Sequence, residues 1–158
     1  MLHKLLSASA IVLATCFLLA CSSKNAKEKQ TVKEELHVYL CFGQSNMEGN
    51  ARVEAQDTLN IDPRFMVLQA VDCPDRNREK GKWYTAVPPL TRCRTGLSPA
   101  DYFGRTMVEN LPGHVKVGII NVSVGGCKIE LFDKENYQSY VAESPGWLQN
   151  MVKEYDGN

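Results

Sequence analysis

The chain has 158 residues, of which 44% are hydrophobic, and its 18 lysines and arginines balance its 18 aspartates and glutamates. This length suits one domain and is too short for two ordinary ones. The even charge argues against a nucleic-acid partner, which would favour a strongly basic face. The hydrophobic content is sufficient for a core, and the sequence shows neither an internal repeat nor a low-complexity segment.

The first segment has the features of an export signal. Lys4 precedes an apolar run over residues 5–20, which is short for a membrane span. The run leads into Cys21 through Leu-Leu-Ala, which resembles the lipobox of bacterial lipoproteins. We predict a signal peptide over residues 1–20, lipidation at Cys21 and a polar tether over residues 21–35, so that the protein is exported and anchored to a membrane in the periplasm or at the outer membrane. An ordinary cleaved signal peptide with an incidental Cys21 is the alternative.

Four cysteines remain after the tether, at positions 41, 73, 93 and 127. An exported protein can form disulfides. Cys73 and Cys93 flank one long loop and could pair, whereas Cys41 is predicted to be a free thiol of the core. The sequence contains no C-x-x-C and no H-E-x-x-H motif, so we predict no metal site.

A serine follows directly after an apolar run. Residues 36–42 are apolar or aromatic except for His37, which predicts a strand buried on both faces of a parallel sheet. Gly43 breaks this strand, and Ser45 stands on the turn beyond its carboxyl end, where open α/β sheets bind their ligands. From the residue types alone, a plain polar connection between a strand and a helix is equally compatible.

A second strand is predicted over residues 64–71, and a long loop without regular structure over residues 72–97, since prolines and glycines interrupt it. We interpret its basic residues as a solvated face, with a site for a negatively charged or uronic acid-bearing glycan as the alternative. These residues are Arg76, Arg78, Lys80, Lys82, Arg92 and Arg94. Trp83 and Tyr84 are interpreted as side chains that pin the loop to the domain, with a stacking platform for a sugar ring as the alternative.

Strand, helix and strand then follow in the order of a parallel crossover. Ser98 and Pro99 predict a helix start, as N-cap and first helical residue, and residues 115–124 predict a third strand. That strand ends at Gly125 and Gly126, on the same side of the sheet as Ser45. Paired glycines expose backbone N–H groups that can stabilise an oxyanion, although they also serve in simple turns.

Two strings resemble conserved blocks of the sialate O-acetylesterase and acetylxylan esterase group (carbohydrate esterase family six), a branch of the SGNH hydrolases. Residues 43–49, Gly-Gln-Ser-Asn-Met-Glu-Gly, resemble its nucleophile block, and residues 121–130 resemble a second block, with Cys127 where threonine or serine is usual. The resemblance implies an α/β fold with a three-layer, flavodoxin-like parallel sheet.

The resemblance also implies a function. Ser45 would be the nucleophile, Gly125 and Gly126 active-site glycines, and Gln44 and Asn46 substrate contacts. The substrate would be an acetylated carbohydrate of the sialate or xylan type, and neither a metal nor an organic cofactor would be needed. The main oxyanion donor could come from the two glycines or from near Gly96, beside the N–H of Ser45 itself.

The general base of such an enzyme is missing from its expected place. A serine nucleophile needs one, usually a histidine oriented by a carboxylate. His3 belongs to the signal, and His37 and His114 stand at the amino-terminal ends of predicted strands. The related group supplies its base from an Asp-x-x-His block near the carboxyl end of the domain, and that string does not occur here.

We therefore expect residues 36–158 to be the amino-terminal part of a truncated esterase domain, with uncovered apolar faces, poor solubility and no activity in this form. The alternative is a surface lipoprotein that binds glycans without catalysis. A lipase- or protease-like serine hydrolase is a third possibility, which the polar Gln44 and Asn46 disfavour.

Overall fold

The computed structural model describes residues 32–156, which fold around one four-stranded sheet. Its strands are β1 (Glu35–Gly43), β2 (Phe65–Leu68), β3 (Trp83–Thr85) and β4 (Val115–Ser123). The sheet order is β1–β4–β2–β3, in which β4 is parallel to β1 and to β2, and β3 is antiparallel to β2. The predicted α/β class with a core of parallel strands is confirmed.

Four α-helices accompany the sheet: α1 (Ser45–Glu48), α2 (Pro99–Asn110), α3 (Tyr137–Glu143) and α4 (Gly146–Asp156). Short 3-10 turns occupy Ala55–Thr58, Pro74–Arg76 and Ile129–Phe132. The predicted signal peptide, the lipidation site at Cys21 and most of the tether lie outside the described residues. None of the described helices combines the length and the apolar composition needed to span a bilayer.

Helix α2 begins where its sequence predicts. Asp101 accepts hydrogen bonds from the N–H of Ser98 at 2.8 Å and from its hydroxyl at 3.0 Å, which secures the first turn. Gly104 faces the ring of Phe65 so closely that a Cβ would overlap it, so this glycine allows the helix to lie directly on the sheet. The main core forms between this helix and one sheet face, from Phe65, Val67, Ala86, Leu90, Ala100, Val108, Val117 and Ile119.

The other face of the sheet is partly open along β1, so the prediction that this strand is buried on both faces is wrong. Strand β1 lies at the edge of the sheet and pairs only with β4 among the described strands. Its alternate side chains form an outer row in which Leu36 is 43%, Val38 48%, Leu40 61% and Phe42 48% exposed. The uninterrupted run of apolar residues in β1 therefore gives the strand two apolar faces. The described residues cover only one of these faces.

The long loop contains more regular structure than its sequence predicts. Strand β3 lies within it, and its three residues pair with β2. They stand between the positions at which glycine and proline interrupt regular structure. The disulfide Cys73–Cys93 closes the loop, as one of the alternatives predicts, and Cys41 is a free thiol.

The basic residues of this loop are not simply a solvated face. Arg78 is 8% exposed and donates to the carbonyls of Pro89 at 3.1 Å and Val87 at 2.8 Å, so it replaces backbone donors that the prolines lack. Arg92 pairs with Glu48. Both arginines hold the loop in place.

Trp83 and Tyr84 are half-buried packing residues, in agreement with the first interpretation of this pair. The Trp83 ring lies over Gly118 of β4. The hydroxyl of Tyr84 accepts a hydrogen bond of 2.8 Å from the N–H of Glu79, and its ring packs against the core.

A second, smaller core joins α3 and α4 to the end of β4. Leu148 and Val152 of α4 are buried against Val124, Cys127 and Leu131. The hydroxyl of Tyr155 donates a hydrogen bond of 2.7 Å to the carbonyl of Ser123. Burial raises the pKa of this tyrosine strongly, so the hydroxyl remains a donor at all ordinary pH values. The apolar contacts and this hydrogen bond thus hold helix α4 beside the carboxyl end of β4.

Candidate active site

Ser45 and the two glycines lie at one rim of the sheet. The register of the parallel pair ends at Gly43 and Ser123, so β1 and β4 finish at the same level. The N–H of Val124 then donates a hydrogen bond of 3.0 Å to the carbonyl of Gly43. The segment over residues 43–48, here called the Ser45 turn, therefore starts beside the segment over residues 124–127, here called the diglycine turn.

Both turns present backbone N–H groups. In α1 the N–H groups of Met47 and Glu48 each donate to the carbonyl of Gln44 at 2.9 Å, whereas those of Ser45 and Asn46 precede the first internal bond of the helix. In the diglycine turn the N–H of Cys127 bonds to the carbonyl of Val124 at 3.2 Å. Within the described part of the chain, the N–H groups of Gly125 and Gly126 donate to no backbone carbonyl.

Gly96 does not offer a free donor. Its N–H donates a hydrogen bond of 2.5 Å to the carbonyl of Gly49. Of the alternatives for an oxyanion donor, the geometry thus favours Ser45 and the diglycine turn. The hydrogen bond from Gly96 to Gly49 instead holds in place the segment that follows α1.

A buried polar pair supports the Ser45 turn from below. The amide of Asn121, which is fully buried, donates a hydrogen bond of 2.9 Å to the carbonyl of Met47. The hydroxyl of Ser123 donates to the amide oxygen of Asn121 at 2.6 Å. This pair was not predicted, although two polar residues at alternate positions inside an apolar strand were a signal for it.

The buried ion pair of Glu48 and Arg92 also adjoins the Ser45 turn. The Arg92 Nε donates to Glu48 Oε1 at 3.0 Å, and the second carboxylate oxygen lies against Gly125, where a Cβ would come within 2.6 Å of it. Burial alone would lower the pKa of Arg92, but the Glu48 carboxylate outweighs this effect and the pKa is raised. The guanidinium therefore remains charged.

A groove of about 340 Å³ borders the Ser45 turn. Its lining residues are Gly43, Gln44, Cys127, Lys128, Ile129 and Phe132. Gln44 and Asn46 are both exposed at this rim, so their side chains are accessible to a substrate. The thiol of Cys127 lies 3.6 Å from the carbonyl of Gly43, and burial raises its pKa, so it remains protonated.

The histidines of the described residues lie at the opposite rim. His114 precedes β4, and its carbonyl accepts a hydrogen bond of 3.1 Å from the N–H of Glu35, the first residue of β1. His37 is the third residue of β1, and its Nε2 lies 3.5 Å from the carboxylate of Glu35. Since β1 spans nine residues and Ser45 follows its far end, neither imidazole reaches the Ser45 hydroxyl. The described residues also contain no group of three or more His, Cys, Asp or Glu side chains that could hold a metal ion.

A match to a family model agrees with the two resembling strings. A family model described as carbohydrate esterase, sialic acid-specific acetylesterase, matches residues 35–154. An X-ray structure of a protein from Arabidopsis thaliana is similar at 15% sequence identity and a TM-score of 0.49, over 79% of this chain and 54% of that one. The chain thus spans about half the length of that protein. From the family match we conclude that the chain belongs to the sialic acid-specific acetylesterase family of carbohydrate esterases.

Proposed function

We propose that this domain takes part in removing O-acetyl groups from carbohydrates, with Ser45 as the nucleophile. The observation that carries the proposal is the meeting of the Ser45 turn and the diglycine turn at one rim, joined by the 3.0 Å bond from Val124 to Gly43. Acyl transfer requires backbone donors near the nucleophile, and among the described residues the N–H groups of Gly125 and Gly126 donate to no backbone carbonyl.

The proposed reaction has two steps. The Ser45 oxygen attacks the acetyl carbonyl while its proton passes to a base, and the bond to the sugar oxygen then breaks as that oxygen takes a proton. Water next attacks the acetyl-serine and releases acetate. In both steps the N–H groups of Ser45, Gly125 and Gly126 would stabilise the oxyanion, and loss of one such donor typically costs about a hundred- to a thousand-fold in rate.

The base remains to be supplied. His37 and His114 lie at the far rim, and no other histidine occurs among residues 32–156. We propose that the base is a histidine outside the described residues. Residues 32–156 would then carry the nucleophile and the oxyanion donors and lack turnover by themselves.

The substrate and the location are part of the same proposal. An acetylated sugar of the sialate or xylan type would approach the exposed Gln44 and Asn46. Export and acylation at Cys21 would anchor the domain to a membrane of the periplasm or the outer membrane.

Among residues 32–156 no histidine lies at the site rim, and this favours one other function, which is a surface lipoprotein that binds acetylated glycans without cleaving them. Trp83 and Tyr84 are poor candidates for its platform, since one ring covers Gly118 and the other packs on the core. The exposed side chains around the groove would have to serve instead.

Chemical rescue can test the nucleophile with the chain as it is. The purified protein is incubated with 4-nitrophenyl acetate and with imidazole as an external base, and tryptic peptides are analysed by mass spectrometry. We expect an acetyl adduct on Ser45, because imidazole takes the serine proton during the attack, and removal of imidazole before the analysis leaves deacylation without a base. The adduct should vanish in Ser45→Ala and persist in Ser139→Ala, which removes an exposed hydroxyl on α3. Absence of an adduct on Ser45 would contradict the esterase proposal, and glycan binding without an adduct would support the alternative.

A further inference from the structure

The ion pair of Glu48 and Arg92 is more buried than any other ion pair of the described residues. The side chains are 8% and 18% exposed, compared with 31% and 23% for Asp62 and Arg64. Two guanidinium nitrogens of Arg92 donate to the same carboxylate oxygen, Nε at 3.0 Å and Nη2 at 2.5 Å. Taking both charges out of water is costly, so such a pair is a poor device for stability alone.

Glu48 and Arg92 each contact a segment that forms or borders the candidate active site. Glu48 ends the helix that Ser45 begins, and its free carboxylate oxygen lies against Gly125. Arg92 also reaches Glu154 of α4 at 3.5 Å. The pair therefore connects the Ser45 turn, the diglycine turn and α4.

The backbone of Arg92 is itself held. The next residue, Cys93, is joined to Cys73 by the disulfide. The hydroxyl of Thr95 donates to the carbonyl of Arg92 at 2.8 Å. The guanidinium is thus presented to Glu48 from a fixed loop.

The position of the carboxylate raises an electrostatic difficulty. A negative charge beside Gly125 opposes the binding of an anion at the neighbouring N–H groups, and the opposition is strong where water is excluded. A charged arginine on the same carboxylate cancels most of this field.

We propose that Glu48 and Arg92 are positioning residues of the esterase site. Glu48 sets the spacing between the Ser45 turn and the diglycine turn, and Arg92 neutralises Glu48 so that an anion can bind at the N–H groups of Ser45, Gly125 and Gly126. The inference rests on the proposed function, because it assumes that these N–H groups form the oxyanion site.

Acetate, the product of the proposed reaction, is the probe for the test. It is titrated into the ¹⁵N-labelled chain, and the shifts of the Ser45, Gly125 and Gly126 amides give its affinity without any need for turnover. We expect Arg92→Gln to weaken acetate binding by about three-fold or more, because it leaves a bare carboxylate at the site. Glu48→Gln should strengthen binding, because it removes the negative charge beside Gly125. Lys116→Gln, which removes an exposed ion pair to Glu34, is the control and should bind like the parent chain.

The pattern separates a charge effect from a structural one. Equal affinities in all variants, or equal weakening in Arg92→Gln and Glu48→Gln, would overturn the inference and leave the proposed function standing. If acetate shifts none of these amides in the parent chain, the oxyanion assignment itself fails, and the inference with it.

One further variant keeps the test decisive. Arg92→Lys retains the charge and should restore at least part of the affinity lost in Arg92→Gln. If Arg92→Gln does not fold, Glu48→Gln decides alone: stronger acetate binding in that variant supports the proposed charge effect, and equal or weaker binding contradicts it.

Discussion

The backbones of Gly49 and Gly96 are in direct contact: the N–H of Gly96 donates to the carbonyl of Gly49 at 2.5 Å, and a Cβ on Gly49 would lie 2.5 Å from the carbonyl oxygen of Gly96. A Cβ on Gly96 would in turn overlap the carbonyl of Ala51. The end of the Ser45 turn is therefore pressed onto the loop that carries Arg92. Two glycines make this approach possible.

Gly96→Ala should destabilise the domain by about 1–3 kcal/mol, because the new methyl group meets backbone atoms that can move only if the crossing opens. Urea unfolding followed by circular dichroism measures the change. Gly113→Ala is the matched control, since nothing lies within 4 Å of its Cβ position. Equal stability of the two variants would show that the crossing is loose.

The 158-residue chain should not hydrolyse acetyl esters when no external base is added. The reason is the distance of His37 and His114 from the site rim, which leaves the Ser45 hydroxyl without a histidine base among the described residues. Release of 4-nitrophenol from 4-nitrophenyl acetate is the measurement. Turnover above background that disappears in Ser45→Ala would contradict this expectation.

Leu40→Lys should improve solubility with little loss of stability. Leu40 is 61% exposed in the outer row of β1, so a charge there interrupts an apolar patch on an edge strand that pairs on one side only among the described strands. Size-exclusion chromatography with light scattering over a range of concentrations measures self-association. Gln138→Lys adds the same charge to an exposed position of α3 and should leave self-association unchanged.

Loss of the disulfide should lower the free energy of unfolding by about 3 kcal/mol, since Cys73 and Cys93 close a loop with a sequence separation of 20. The comparison is between the parent chain and Cys73→Ser/Cys93→Ser, each unfolded in urea with and without a reductant. The reductant should weaken only the parent chain. If the reductant lowered the free energy of unfolding of the double variant by the same amount, its effect would not come from the Cys73–Cys93 disulfide.

Tyr102→Phe should change the response of stability to acid. The Tyr102 hydroxyl donates to Asp57 at 2.7 Å and lowers the pKa of that carboxyl, so the folded state favours the ionised form. This stabilisation is present above the unfolded pKa of about 3.9 and is lost as the pH falls through the lower folded pKa. The difference in Tm between Tyr102→Phe and the parent chain should therefore shrink on acidification.

Tyr140→Phe is the control for this effect. The Tyr140 hydroxyl accepts a hydrogen bond from the N–H of Lys128, so no carboxylate is involved. The Tm difference of Tyr140→Phe from the parent chain should be the same at neutral and acid pH. If the Tm difference between Tyr102→Phe and the parent chain were also the same at neutral and acid pH, the proposed role of Asp57 would be excluded.

Local signals predicted local structure well. Ser98 and Pro99 determine the start of α2 through contacts within one helical turn, so the sequence was sufficient to place it. The edge position of β1 was not predictable in this way, because apolar residues on both sides of a strand do not reveal which elements cover them. The pairing of Glu48 with Arg92 was missed for a related reason, since the two residues are 44 positions apart and each is unremarkable alone.

The pairing of β1 with β4 has a consequence for how the chain folds. Glu35 pairs with Val115, and Gly43 meets Cys127 across a separation of 84 residues. Contacts of such long range form slowly, because a large loop must close before they contribute. During synthesis the apolar β1 segment therefore has no partner until residues 115–123 have emerged. The surroundings of Ser45 accordingly assemble later than β1 itself is made, and a chaperone that shields residues 36–42 should raise the yield of native protein.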